Sequence, residues 1–81
     1  MKYAVIGGSL SGLAEATIVQ LKKRGYFIFA LDIRNREREE DGILYIKADL
    51  TKNEDIERAR KIVEERTDKL DFISNFSGCV I

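Results

Sequence analysis

The chain has 81 residues, enough for one small domain. Fourteen basic and fourteen acidic residues cancel, so bulk charge does not favour a nucleic-acid partner. The absence of histidine excludes a histidine general base, and the single cysteine, Cys79, excludes an intramolecular disulfide and argues against a zinc site. No apolar run approaches the roughly 20 residues that a membrane-spanning helix needs. The first three residues lack a signal-peptide layout, so we expect a cytoplasmic protein.

A short apolar strand and an amphipathic helix come first along the chain. The strand covers Met1–Ile6. From position 10 onward, apolar residues recur three and four positions apart, which predicts one buried helix face made of Leu10, Leu13, Ala14, Thr17, Ile18 and Leu21. Basic residues at positions 22–24 suit the negative end of the helix dipole, and Gly25 is expected to end the helix.

Three further strands and a second helix follow. Residues 26–31 form a continuous apolar run, typical of a strand buried on both faces of a parallel sheet. Residues 35–42 read as a charged connection, and Ile43–Lys47 is the third strand. From Ile33 to Gly42 there is room for only a turn or two of helix. The fourth strand is expected from about Leu70 to Ser74.

The second helix is predicted between the third and fourth strands. Thr51 and Glu54 have the spacing of a capping box, which would mark its start. The helix is expected to bury Ile56, Ala59, Ile62 and Val63.

The order β-α-β-β-α-β predicts an α/β fold with right-handed crossovers and a parallel sheet. The expected strand order is 3-2-1-4, which is half of a doubly wound, Rossmann-like sheet. We expect residues 1–81 to form a single, partial dinucleotide-binding domain.

A glycine-rich stretch, residues 8–14, joins the first strand to the first helix and reads G-x-x-x-G-x-A. A turn that needs glycine for positive φ would explain it. A phosphate site would also explain it, because a helix N-terminus presents free backbone N–H groups and a positive dipole end.

Asp32 ends the second strand twenty residues beyond Gly12. A carboxylate there can accept the adenosine ribose hydroxyls and would repel a 2′-phosphate, which favours NAD over NADP. Arg34 and Arg36 could stack on adenine, meet a 2′-phosphate or simply face water.

These motifs together resemble those of the short-chain dehydrogenases/reductases. The loop is similar to that family's T-G-x-x-x-G-x-G, with Gly7 in place of the threonine and Ala14 in place of the last glycine. Residues 49–50, Asp-Leu, resemble the acidic and aliphatic pair that touches adenine, although Asp49 could instead only cap backbone N–H groups. Residues 75–78, Asn-Phe-Ser-Gly, resemble the family's Asn-Asn-Ala-Gly.

The resemblance implies a binding site for NAD, or less readily NADP. Its residues would be Gly8, Ser9, Ser11, Gly12, Leu13, Asp32, Ile33, Asp49, Leu50, Asn75, Ser77 and Gly78. We expect no metal-binding and no catalytic residue. The family's hydride transfer needs a tyrosine with a lysine four residues later, and the residues four positions after the three tyrosines are Gly7, Ala30 and Asp49. The chain therefore reads as the NAD(P)-binding N-terminal portion of such an oxidoreductase, catalytically incomplete by itself.

Two other classes of function stay open. The chain could be a non-catalytic nucleotide-binding or protein-interaction module with the same half fold. A flavodoxin-like or receiver-type domain is disfavoured, because those folds have five strands and the sequence supplies four. The open edge of the fourth strand predicts self-association or pairing with a complementary catalytic chain, and we expect no nucleic-acid or membrane partner.

Overall fold

Four parallel strands and two helices alternate along the chain, with one short antiparallel strand added. The computed structural model describes residues 1–76. Its elements are β1 (Lys2–Gly7), α1 (Gly12–Lys23), β2 (Tyr26–Asp32), β3 (Arg38–Glu40), β4 (Ile43–Lys47), α2 (Asn53–Arg66) and β5 (Phe72–Asn75). No helix in residues 1–76 is long and apolar enough to cross a membrane.

The sheet has the order β3-β4-β2-β1-β5. The β1–β2, β2–β4 and β1–β5 pairs are parallel. The order β4-β2-β1-β5 is the predicted 3-2-1-4, so the α/β fold with half of a doubly wound parallel sheet is confirmed.

The connection at residues 35–42 differs from the prediction. It was expected as a short link between strands, but it contains an additional strand, β3, which pairs antiparallel with β4. Asp41 and Gly42 join the two strands with positive φ of 54° and 76°, the backbone of a two-residue hairpin turn. The described sheet therefore has five strands, and the count of four used against a flavodoxin-like or receiver-type domain was wrong. The added strand is antiparallel, so it does not extend the parallel sheet.

The two faces of the sheet carry separate hydrophobic clusters. In β2, Ile28 and Ala30 belong to the cluster under α1, and Phe29 and Leu31 to the cluster under α2. All four side chains are buried. The prediction that this strand is covered on both faces is confirmed.

The helix faces agree with the sequence pattern except at the start of α1. Ala14, Ile18 and Leu21 are buried, whereas Leu10 and Leu13 are exposed, Leu13 by 74%. The periodicity failed here because Leu10 precedes the helix, which begins at Gly12, and Leu13 lies on its outer side. In α2, Ala59 and Val63 are buried and Ile56 and Ile62 pack against the same cluster, as predicted.

The predicted capping box at α2 is wrong. The N-cap is Lys52, which makes no side-chain capping bond. Thr51 lies before the helix, and its hydroxyl donates to Asp49 Oδ1 at 2.6 Å. Because the helix begins at Asn53, Thr51 lies one position before the N-cap and belongs to the turn that its hydrogen bond to Asp49 stabilises. β5 also begins later than expected, at Phe72 rather than Leu70.

Candidate functional site

A cleft of about 340 Å³ opens at the carboxyl ends of the parallel strands. Ligands of open α/β sheets bind at this edge, because strand ends and helix N-termini meet there. The cleft is lined by Gly8, Ser11, Asp32, Ile33, Arg34, Ala48, Asp49, Leu50, Thr51 and Phe76.

The turn after β1 carries the chain across the end of β2 into α1. Gly8 has a φ of 68°, a conformation that glycine adopts without strain. The Ser9 N–H donates to the Leu31 carbonyl at 3.0 Å, which fixes the turn against β2. The Ser11 hydroxyl accepts the Ala14 N–H at 3.2 Å and caps the helix. The positive-φ explanation is therefore correct for Gly8.

Gly12 has no such backbone requirement. Its φ is not positive, and a Cβ built there would meet nothing within 4 Å. Alanine favours a helix more than glycine does, so neither backbone conformation nor packing within the described chain calls for glycine at this position. The first N–H groups of an α-helix have no partner within the helix, and donors of that kind can bind a phosphate group.

Asp32 is the acidic group closest to this turn and is only 5% exposed. Its carboxylate accepts the Leu10 N–H at 3.1 Å and the Arg34 N–H at 2.9 Å. The Arg34 guanidinium donates from Nε at 3.0 Å and from Nη2 at 3.1 Å. These hydrogen bonds, above all those of the guanidinium, hold the pKa of Asp32 below its usual range against the opposing effect of burial. The carboxylate is therefore ionised at neutral pH and is bound directly to the glycine-rich turn.

Asn35 is a structural residue of the site that sequence reasoning missed. Its side chain is buried, and its amide donates to the Ala30 carbonyl at 2.8 Å and the Ile46 carbonyl at 2.9 Å. The same amide lies 3.4 Å from the Ser9 hydroxyl. Asn35 thus ties the ends of β2 and β4 to the glycine-rich turn. A single sequence offers no signal that separates this residue from the charged residues around it.

Asp49 and Leu50 follow the end of β4 along the chain. Leu50 is buried and lines the cleft. Asp49 accepts the Thr51 N–H at 3.0 Å as well as its hydroxyl, and the hydroxyl contributes most to lowering the pKa of Asp49. The contact with the Thr51 N–H agrees with the alternative in which Asp49 caps backbone N–H groups. A contact between Asp49 and adenine stays a prediction.

The remaining predicted residues fall in different places. Of the twelve, six line the cleft: Gly8, Ser11, Asp32, Ile33, Asp49 and Leu50. Ser9 is buried behind the turn, Gly12 and Leu13 begin α1, and Asn75 ends β5. Ser77 and Gly78 lie outside the described residues. Phe76, which departs from the family tetrapeptide, lines the cleft, and its N–H donates to the Gly7 carbonyl at 2.8 Å. Within residues 1–76, no group of acidic, histidine or cysteine side chains is arranged to hold a metal ion.

The parallel strand order and the cleft at the strand ends define a Rossmann-like fold. No protein-family model matches the chain. A short chain dehydrogenase from Leptospira borgpetersenii with bound NAD⁺ superposes with a TM-score of 0.81 over 99% of this chain, at 17% identity. A short chain dehydrogenase family protein from Francisella tularensis superposes with a TM-score of 0.79 over 100% of this chain, at 26% identity.

A sequence relative gives the same result. The NAD-dependent glycerol dehydrogenase of Listeria innocua is 26% identical over 86 aligned residues, which include 99% of this chain. The resemblance to short-chain dehydrogenases that the motifs indicated is therefore confirmed. The chain spans 32% and 33% of the two solved structures and 34% of the Listeria enzyme.

Proposed function

We propose that the chain binds NAD in this cleft, as the NAD(P)-binding portion of a short-chain dehydrogenase-like oxidoreductase. One observation carries the proposal: the buried, ionised Asp32 is bound to the turn that leads into the N-terminus of α1, where Gly12 leaves open space. A carboxylate can accept the hydroxyls of a ribose, and a neighbouring helix N-terminus can bind the pyrophosphate joined to that ribose. The NAD named for the Leptospira and Listeria relatives supports the same cofactor.

Each part of the dinucleotide has candidate partners in the chain. The pyrophosphate would lie at the turn and the start of α1, near Gly8, Ser11 and Gly12, with Leu13 beside it. Asp32 would accept the adenosine ribose hydroxyls, and the adenine would lie among Ile33, Asp49 and Leu50. Ser9 is buried and would shape the turn rather than contact the ligand. Asn75, Ser77 and Gly78 are proposed for the second ribose side, where Asn75 would also tie strand ends together.

The cofactor would supply hydride transfer between nicotinamide and an alcohol or carbonyl. Within the 81 residues no tyrosine has a lysine four positions later, so we assign no catalytic residue to this chain. We propose that turnover needs a catalytic portion carrying that pair, covalently continuous or supplied as a separate chain. The cytoplasm stays our proposed location.

Titration calorimetry with NAD tests the binding proposal. We expect weak but measurable binding and no turnover. Asp32→Ala should weaken NAD binding by about 1–3 kcal/mol, because a charged acceptor is lost. Asp68→Ala is the matched control, since Asp68 is an exposed carboxylate that does not line the cleft. Absence of both heat and chemical-shift change at millimolar NAD would contradict the proposal.

The second candidate is a non-catalytic nucleotide-binding or protein-interaction module with the same half fold, because the cleft and the turn would serve it equally well. Both candidates predict NAD binding by this chain. A neighbouring reading frame or downstream segment with Tyr-x-x-x-Lys supports the oxidoreductase, and its absence supports the module.

A further inference from the structure

The hydrogen-bonding capacity of Asp32 is fully used by the protein itself. A carboxylate offers about four lone-pair positions, two on each oxygen. Oδ1 accepts the Arg34 N–H and Nε, and Oδ2 accepts the Leu10 N–H and Arg34 Nη2. No position is left for the two hydroxyls of an adenosine ribose.

The four donors differ in how easily they can leave. The N–H groups of Leu10 and Arg34 belong to the backbone of the two turns that build the site, so they move only if those turns refold. The Arg34 side chain is 62% exposed, and Asp32 is its only ion-pair partner within residues 1–76. The guanidinium can therefore rotate into solvent while both turns stay in place.

We propose that the Arg34 guanidinium occupies the ribose-binding side of Asp32 in the free protein and that a dinucleotide must displace it. The inference rests on the proposed function. The exchange is matched in number, because two guanidinium donors leave and two ribose hydroxyls replace them. It is unmatched in strength, because the leaving hydrogen bonds are charge-assisted and two-pronged, whereas a hydroxyl is a neutral donor.

Arg34 thereby sets the affinity of the site for ligands with an intact ribose diol. A ligand without the diol has no hydroxyl donors that could replace the guanidinium on Asp32. Its binding free energy therefore does not include the cost of breaking the Asp32–Arg34 pair. The competition thus reduces the difference in affinity between ligands with and without the diol, and removal of the Arg34 side chain should increase that difference.

Calorimetry with two ligands and three variants tests the displacement. The ligands are NAD and its analogue that carries 2′,3′-dideoxyadenosine. Arg34→Ala removes the competing donors, and Arg34→Lys keeps the charge but loses the two-pronged contact. Arg24→Ala is the matched control, since Arg24 is an exposed arginine at the C-terminal end of α1 that does not line the cleft.

We expect Arg34→Ala to bind NAD about two- to fivefold more tightly than Arg24→Ala, the scale of one ion pair. Arg34→Lys should fall between the wild type and Arg34→Ala. The dideoxy analogue should bind Arg34→Ala and Arg24→Ala equally. Equal or weaker NAD binding by Arg34→Ala, or an equal gain for the dideoxy analogue, would overturn the inference.

A spectroscopic measurement separates this inference from the proposed function. In the free protein, the Arg34 Nε–H signal should exchange slowly with solvent, and saturation with NAD should accelerate that exchange. Fast exchange in the free protein, with NAD still binding, overturns the displacement alone. If neither wild type nor variants bind NAD, the proposed function fails and the inference fails with it.

Discussion

Gly12 and Gly25 are both glycines at helix ends, for different physical reasons. Gly25 has a φ of 83° after the last turn of α1, and any other residue there would be strained. Gly12 is free of that constraint and has open space where a Cβ would stand. If the space serves a pyrophosphate, the two positions should separate stability from binding.

We predict that Gly12→Ala keeps or raises the free energy of unfolding, by up to about 1 kcal/mol, because alanine favours the helix. The same change should weaken NAD binding about tenfold, since the methyl group takes space that the phosphate needs. Denaturant titration and calorimetry measure the two effects. Gly25→Ala is the control: it should cost about 1–2 kcal/mol of stability and leave the NAD affinity of the folded protein unchanged. Normal NAD binding by Gly12→Ala would show that the space is not used.

Sequence reasoning located the principal groups of the candidate site but not their contacts. The spacing from Gly12 to Asp32 follows from one strand-helix-strand unit, so a pattern along the chain can reveal it. The Asp32–Arg34 pair and the burial of Asn35 depend on how the turn at residues 32–35 folds back over the strand ends. Three-dimensional contacts of that kind leave no periodic signal.

At the level of elements, the strands that carry a pattern along the chain were predicted, and the strand that depends on three-dimensional contacts was not. β1, β2 and β4 are largely apolar and lie in the sheet interior, so their composition identifies them. β3 consists of three exposed charged residues, with neither apolar composition nor alternation. The one available signal was the Asp-Gly pair at 41–42, a strong indicator of a hairpin turn.

β3 is held from outside by arginines of α2. Arg66 makes a two-pronged pair with Glu39, both contacts at 2.8 Å, and its guanidinium lies 5.1 Å from the centre of the Phe27 ring. Arg58 donates to Glu37 at 2.6 Å and also to the Lys47 carbonyl. Because the side chains of β3 are exposed, the strand gains little stability from burial and depends more on these ion pairs.

We predict that Glu39→Gln loosens β3 without unfolding the rest of the domain. Amide protons of the β3–β4 ladder should exchange faster, while the midpoint of chemical denaturation stays unchanged, because the hydrophobic clusters lie elsewhere. Exchange followed by NMR checks this. Glu40→Gln is the matched control, being an exposed neighbour in the same strand. Equal exchange rates in the two variants would mean that Arg66 does not hold the strand.

For the whole molecule, β5 leaves both a strand edge and an apolar surface accessible. β5 pairs with β1 on one side and has no strand on its other side within residues 1–76. Ile73 is 62% exposed and Phe72 is 38% exposed. An apolar groove of about 350 Å³ on the α2 face is lined by Ile73 together with Leu70, Ile56 and Val63. A strand at the edge of the described sheet, flanked by apolar side chains, favours pairing with another chain.

We therefore predict that the chain self-associates through β5 at tens of micromolar, as sedimentation velocity can measure. Ile73→Lys should shift the population toward monomer, because a charge beside an edge strand opposes pairing. Val19→Lys introduces the same charge at a half-exposed apolar position on the outer side of α1 and should leave association unchanged. A complementary catalytic chain would compete for the same edge, so adding it should dissolve the homo-oligomer. A wild-type chain that sediments as a monomer at these concentrations would contradict self-association and leave β5 to a different partner.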